Sequence, residues 1–206
     1  VISAENDKYT KYGSVGIPMK NAQVEIVDKD KNGIGEIVVK GPNVMIGYYE
    51  NEEATKEVLK DGAFHTGDLG YIDKEGFLFI TGRKKDMIVL KNGKKVFPEE
   101  IETIINRNEE IEESFVYGMK DKDDESKIKV AVKVVYNKDI VKKKYGDISN
   151  EDIYNIIWNK IKEVNKTLPR YKYIMNMILT DEPLIKTTTH KIKSTEEWMK
   201  LVDKVK

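Results

Sequence analysis

Three short polar stretches, each closing on a glycine, cut the first half of this chain into antiparallel hairpins. They are Asp28-Lys29-Asp30-Lys31-Asn32-Gly33, Asp73-Lys74-Glu75-Gly76 and Asn92-Gly93. Apolar residues alternate on either side of the first, at Val24 and Ile26 and again at Ile37 and Val39. That period of two is what a half-buried strand requires. The second stretch separates a strand beginning near Leu69 from one ending near Ile80. The third is the strongest short hairpin signal, because both of its residues tolerate positive φ. Residues 51–59 suit a short helix capped by Asn51, with Glu52 and Glu53 near its positive end. The first 82 or so residues therefore read as a β-rich unit, a small sheet or barrel.

Charge accumulates over residues 82–86, and a different pattern follows. Pro98 suits a first helical position, and Ile101, Ile104 and Ile105 give that helix an apolar stripe. Residues 114–119 and 127–136 read as strands. Residues 149–168 form the clearest helix, opened by a Ser149-x-x-Asp152 capping box and stopped by Pro169. Its apolar face carries Ile153, Ile156, Ile157, Ile161 and Val164. A strand over 173–179 follows, and then a helix from Ser194 bearing Trp198, Leu201 and Val205. This second unit is expected to be α+β, an antiparallel sheet flanked by helices.

Composition excludes several classes of function. Lys plus Arg and Asp plus Glu number 36 each, which argues against a nucleic-acid surface. With no Cys and two His, thiolate sites are excluded and no metal site is expected from this chain. No apolar run reaches the length of a membrane span. The chain opens Val1-Ile2-Ser3 without an initiator Met or a signal pattern, so it is expected to be a piece of a longer protein.

Few residues could carry chemistry. The turn at 73–76 folds Asp68 opposite about Thr81 or Gly82, which brings it near Arg83. Such a pair is either a surface ion pair or a carboxylate and guanidinium able to hold two sugar hydroxyls. Gly62 and Gly67 have phosphate-loop spacing, but Asp68 stands where a lysine would be needed, so a Walker-type loop is rejected. Arg83-Lys84-Lys85-Asp86 is by composition a solvated linker. Lys186-Thr187-Thr188-Thr189-His190-Lys191-Ile192-Lys193 is a basic loop rich in small hydroxyl residues.

Taken together, the 64–102 stretch FHTGDLGYIDKEGFLFITGRKKDMIVLKNGKKVFPEEIE and the Lys191 loop resemble the C-terminal part of the adenylate-forming enzymes. These are the acyl- and aryl-CoA synthetases and their relatives. The likeness implies that residues 1–83 close a large N-terminal AMP-binding domain and that 84–206 are the mobile C-terminal domain. It implies ribose-binding roles for Asp68 and Arg83 and a pivot at Lys85. Gly93 matches a backbone position passed by CoA, and Lys95 a phosphate contact, although one extra residue before Gly93 leaves Lys94 and Lys95 unseparated. Lys191 matches the lysine that bridges the acid and the phosphates during adenylation. His190, Thr188 and Ser194 depart from the commonest form of that loop.

The resemblance further implies an ATP-dependent ligase, cytoplasmic, that uses CoA and Mg2+ and joins a carboxylic acid to CoA through an acyl-AMP. The phosphate loop, the acyl pocket and the magnesium ligand are expected upstream, in an N-terminal domain acting in cis. Peripheral membrane association of the parent enzyme is compatible with this reading. KTTTHKIK with GKKVFPEEIE resembles the bacterial long-chain fatty-acid branch, so a fatty acid is the expected substrate. The rivals are an aryl- or amino-acid-activating enzyme, an acyl-carrier-protein ligase, and a non-catalytic scaffold. The presence of Asp68, Arg83 and Lys191 together argues against the last.

Overall fold

A computed structural model describes residues 2–5, 10–121, 124, 126–188 and 192–203. The chain divides into two compact units, Val1–Lys85 and Asp86–Lys206. The first contains β1 (Ser3–Ala4), β2 (Ile17–Pro18), β3 (Gln23–Val27), β4 (Gly35–Lys40), α1 (Glu52–Val58), β5 (Leu59–Lys60), β6 (Ala63–Ile72) and β7 (Leu78–Arg83). Its main sheet runs β3-β4-β6-β5, with β7 also paired to β6. Val24 lies opposite Val39 and Ile26 opposite Ile37, so the alternating residues share one face. Ala22, Ile37, Val39 and Leu78 form the buried core beneath it.

The turns explain why these strands pair as they do. Asp30 Oδ1 accepts from the amides of Asn32 and Ile34 at 2.8 and 3.0 Å. Asp73 Oδ1 does the same for Glu75 and Phe77, both at 2.9 Å. Gly33 and Gly76 then take left-handed φ of 80° and 89°, which costs glycine little. Asn51 caps α1 as expected, its Oδ1 accepting from Ala54 N at 3.0 Å.

The second unit contains β8 (Ile88–Val89), β9 (Lys95–Val96), α2 (Pro98–Ile105), β10 (Ile111–Lys120), β11 (Ile128–Tyr136), α3 (Lys138–Tyr145), α4 (Asn150–Thr167), a 3-10 turn (Arg170–Lys172), β12 (Ile174–Thr180) and α5 (Ser194–Asp203). Strand β11 is the centre of a three-stranded sheet. Its Val130, Val132 and Val134 pack with Ile101 and Ile105 of α2 and Ile153, Ile157 and Ile161 of α4. Its Ala131 and Val135 pack with Phe115, Tyr117, Leu184 and Leu201 of α5. Period-two alternation thus gives each face its own helix layer, and the fold is α+β. Ile157 and Ile161 have no exposed surface, each stabilising the fold by roughly 1.5–3 kcal/mol.

Four details depart from the sequence expectations. Strands β10 and β11 are antiparallel, but β12 runs parallel to β11. Helices α3 and α4 form the connection between β11 and β12, and a long crossover of this kind returns the next strand in the same direction. In the β8–β9 hairpin only Gly93 is left-handed, with φ 74°. Asn92 instead uses its carboxamide oxygen to accept from Lys94 N at 3.1 Å, giving a three-residue loop of turn plus bulge. Helix α3 was not anticipated, because Val141 is its one buried residue and Lys142, Lys143 and Lys144 fill its last turn. On α5, Leu201 is buried but Trp198 is 49% exposed, and Glu197 takes the core position instead. Val205 lies outside the described residues.

Helix α2 is tied to β10 by Glu102, whose Oε1 accepts from Val116 N at 2.7 Å. Burial, helped by the charges of Glu99 and Asp86, pushes the Glu102 carboxyl up to about 7. A carboxyl with a raised folded pKa holds its proton more tightly folded than unfolded. Its contribution is therefore fully present below its ordinary value of 4.5 and declines as pH rises to about 7. Glu102→Gln keeps the acceptor and removes the charge. It should stabilise the second unit by roughly 2–3 kcal/mol at about pH 8 and by almost nothing at about pH 4. Urea unfolding at the two pH values checks this, and an equal effect at both would show that Glu102 does not titrate in between.

Candidate functional site

The site in the first unit begins with a mismatch between strands. Glu36 pairs with Leu69, but Val38 pairs with His65. Thr66, Gly67 and Asp68 therefore stand opposite Ile37 alone and bulge out of the β4–β6 ladder. Thr66 pins the bulge, its hydroxyl donating to Ile37 O at 2.8 Å and accepting from Asp68 N at 3.0 Å. Gly67 at the crest has φ 71°, where a side chain would be strained.

A second bulge brings Arg83 to it. Leu69 pairs with Gly82 and Gly70 with Ile80, so Thr81 is the extra residue. Asp68 accordingly lies opposite Arg83, not opposite Thr81 or Gly82 as counting from the turn suggests. Arg83 Nε donates to Asp68 Oδ1 at 3.0 Å, with the two side chains 46% and 31% exposed. Among the described residues nothing else bonds this pair's side chains, so Asp68 Oδ2 and the Arg83 terminal nitrogens are available to a ligand. One carboxylate oxygen and two guanidinium nitrogens on one rim suit a vicinal diol or an anion.

Beneath the rim is a residue that the motif reading passed over. Glu36 is 6% exposed. Its Oε2 accepts from Lys84 Nζ at 2.8 Å and lies 3.4 Å from His65 Nδ1, and its Oε1 accepts from Gly67 N at 3.3 Å. Burial alone would push this carboxyl up, but the bonds and charges of Lys84 and His65 outweigh it and hold it below its ordinary value. The same contact raises Lys84. The available signal was a lone acid immediately before the apolar run Ile37-Val38-Val39.

Lys85, the expected pivot, is exposed and ends the first unit. Gly93 sits at the β8–β9 loop with open space where a Cβ would be. The structure distinguishes its two neighbouring lysines. Lys94 Nζ lies 4.4 Å over the Tyr171 ring, whereas Lys95 is exposed on β9 beside buried Val96. Thr189, His190 and Lys191 lie outside the described residues. The flanks of their loop are described: Lys186 bridges Ile192, and Lys193 N donates to Ile185 O at 2.8 Å. Glu113 takes Lys186 as an ion-pair partner and accepts from Leu184 N at 3.2 Å. Among the described residues no three His, Cys, Asp or Glu side chains gather to hold a metal ion, and no helix is long and apolar enough to cross a membrane.

A two-unit chain of this fold, with a carboxylate–guanidinium rim just before the junction, has the organisation of an adenylate-forming enzyme's C-terminal part. The AMP-binding enzyme C-terminal domain profile matches residues 85–196, more than half of the chain, and the AMP-binding enzyme profile matches residues 1–49. The chain belongs to the AMP-binding enzyme family and carries that family's C-terminal domain. It is 37% identical over 159 residues to the 2-succinylbenzoate–CoA ligase of Bacillus cereus, covering 74% of this chain and 30% of that protein. It is 42% identical over 112 residues to the long-chain-fatty-acid–CoA ligase of Salmonella typhimurium, covering 52% and 20% respectively. The o-succinylbenzoate CoA synthetase of Bacillus subtilis, solved with its acyl-adenylate intermediate, superposes with a TM-score of 0.72 at 28% identity. That match covers 90% of this chain and 35% of the synthetase. The synthetase has also been solved with ATP and magnesium ion. The chain thus spans about a third or less of these relatives.

Proposed function

We propose that this chain is the C-terminal part of an ATP-dependent, AMP-forming acid–CoA ligase whose acid is aromatic. The Asp68–Arg83 rim carries the reading, since its free acceptor and donors match the two hydroxyls of an AMP ribose. The acid carboxylate attacks the α-phosphate and expels pyrophosphate. The CoA thiol then attacks the acyl carbonyl and releases AMP. Lys191 offsets the charge that builds on the phosphates in the first step. Gly93 and Lys95 flank CoA in the second, after rotation about Lys85. Lys95 is preferred to Lys94 because the Tyr171 ring already engages Lys94. Magnesium would accompany ATP and help neutralise its phosphates, and no residue of this chain is assigned to the metal. The aryl substrate is supported by the 2-succinylbenzoate ligases among the relatives. It replaces the fatty acid expected from the loop sequences as the first reading. A long-chain fatty acid stays as the second, supported by the 42% identity to the Salmonella ligase.

ATP–pyrophosphate exchange by the full-length protein tests both readings. Aryl acids should drive it, and fatty acids of graded chain length should not; the reverse result selects the second reading, and no exchange with any acid overturns both. In the same assay Asp68→Ala should weaken ATP by roughly 1.5–3 kcal/mol, through loss of charged hydrogen bonds. The loss should be much smaller for 2′-deoxy-ATP, which already lacks one hydroxyl. Equal losses for the two nucleotides would make Asp68 structural.

A further inference from the structure

We infer that Glu36 is a positioning residue, a buried clamp that fixes the nucleotide bulge and the last residue before the pivot to one another. The inference rests on the proposed function and adds a residue to it. Lys84 is held at two points. Its amide donates to Gly67 O at 2.8 Å, and its ammonium reaches Glu36 at 2.8 Å. Gly67 is held at two points as well, giving its carbonyl to Lys84 and its amide to Glu36. One carboxylate therefore closes a ring through the crest of the Asp68 bulge and through Lys84. Backbone freedom for a domain rotation starts only at Lys85.

The ring has two consequences for a two-step ligase. It fixes the height at which Asp68 meets the ribose, and it makes the pivot a single sharp residue. Charge is essential to both. An amide at position 36 could still accept from Gly67, but it would not hold the Lys84 ammonium across a half-exposed surface. Of the two partners Lys84 is the gentler one to alter, since its side chain is 55% exposed.

The test uses the full-length protein with Glu36→Gln, Lys84→Met and Lys84→Arg. Amide hydrogen exchange should quicken locally, over residues 66–69 and 84–86, in Glu36→Gln and Lys84→Met. AMP affinity should fall about tenfold in both, and the double variant should be no worse than the weaker single one. Lys84→Arg, which can still donate to the carboxylate, should restore both readouts. Unchanged AMP affinity with local loosening would overturn the inference, and so would loosening spread across the whole protein. Failure of the proposed function looks different. In that case wild-type protein shows no acid-dependent pyrophosphate exchange, while the local loosening still reports whether the clamp exists.

Discussion

Glu197→Ala is expected to destabilise the second unit by about 3–5 kcal/mol, the usual consequence of breaking one side of a buried ion pair. Glu197 has no exposed surface, and its Oε2 accepts from Lys133 Nζ at 2.7 Å, with Lys133 itself 8% exposed. Its other oxygen accepts from Ile185 N at 2.6 Å. Alanine would leave a buried ammonium without its counter-charge and a partly buried amide without an acceptor. Both penalties act on the face where β11, α5 and the start of the Lys186 loop meet. Lys133→Met with Glu197→Gln should recover most of the loss, because the glutamine oxygen still serves Ile185 and no charge remains to be buried. Both tryptophans, Trp158 and Trp198, lie in this unit, so their fluorescence during urea unfolding reads it directly. A loss below about 1 kcal/mol for Glu197→Ala would mean that water reaches the pair.

Which parts of this molecule could be read in advance follows from how local their causes are. The Asp73 turn and the Asn51 and Ser149 caps depend on atoms within four residues, and each formed where its chemistry suggested. The capping hydroxyl of Ser149, for instance, accepts from Asp152 N at 3.1 Å. Lys133 interrupts Val130-Ala131-Val132 and Val134-Val135, yet its partner is 64 positions away, beyond any pattern along the chain. Glu36 and Lys84 are separated by 48 positions, so their pairing was hidden for the same reason. Asp68 and Arg83 fall in between. Counting back from the turn brought them close, but the bulge at Thr81 decided which residues face each other. The parallel setting of β12 depends on a long crossover, and no local signal announces direction.

Lys191 lies outside the described residues and its proposed role rests on family resemblance alone, and the sharpest expectation for catalysis concerns it. In the full-length enzyme Lys191→Ala should slow acyl-AMP formation by on the order of 10²–10³, the range seen when one charge-stabilising donor is lost. Negative charge builds on the departing pyrophosphate in that step and not when the CoA thiol attacks a finished acyl-AMP. Thioester formation from supplied acyl-AMP should therefore stay nearly intact. Lys85→Pro should do the opposite. A proline holds φ near −65° and so would restrain the proposed rotation that offers the Gly93 hairpin to the acyl-AMP, while leaving the proposed adenylation pose reachable. Rapid-quench measurement of the two half-reactions separates these effects. Equal impairment of both by Lys191→Ala would show that one arrangement of the two units serves both steps and that Lys191 belongs to it throughout.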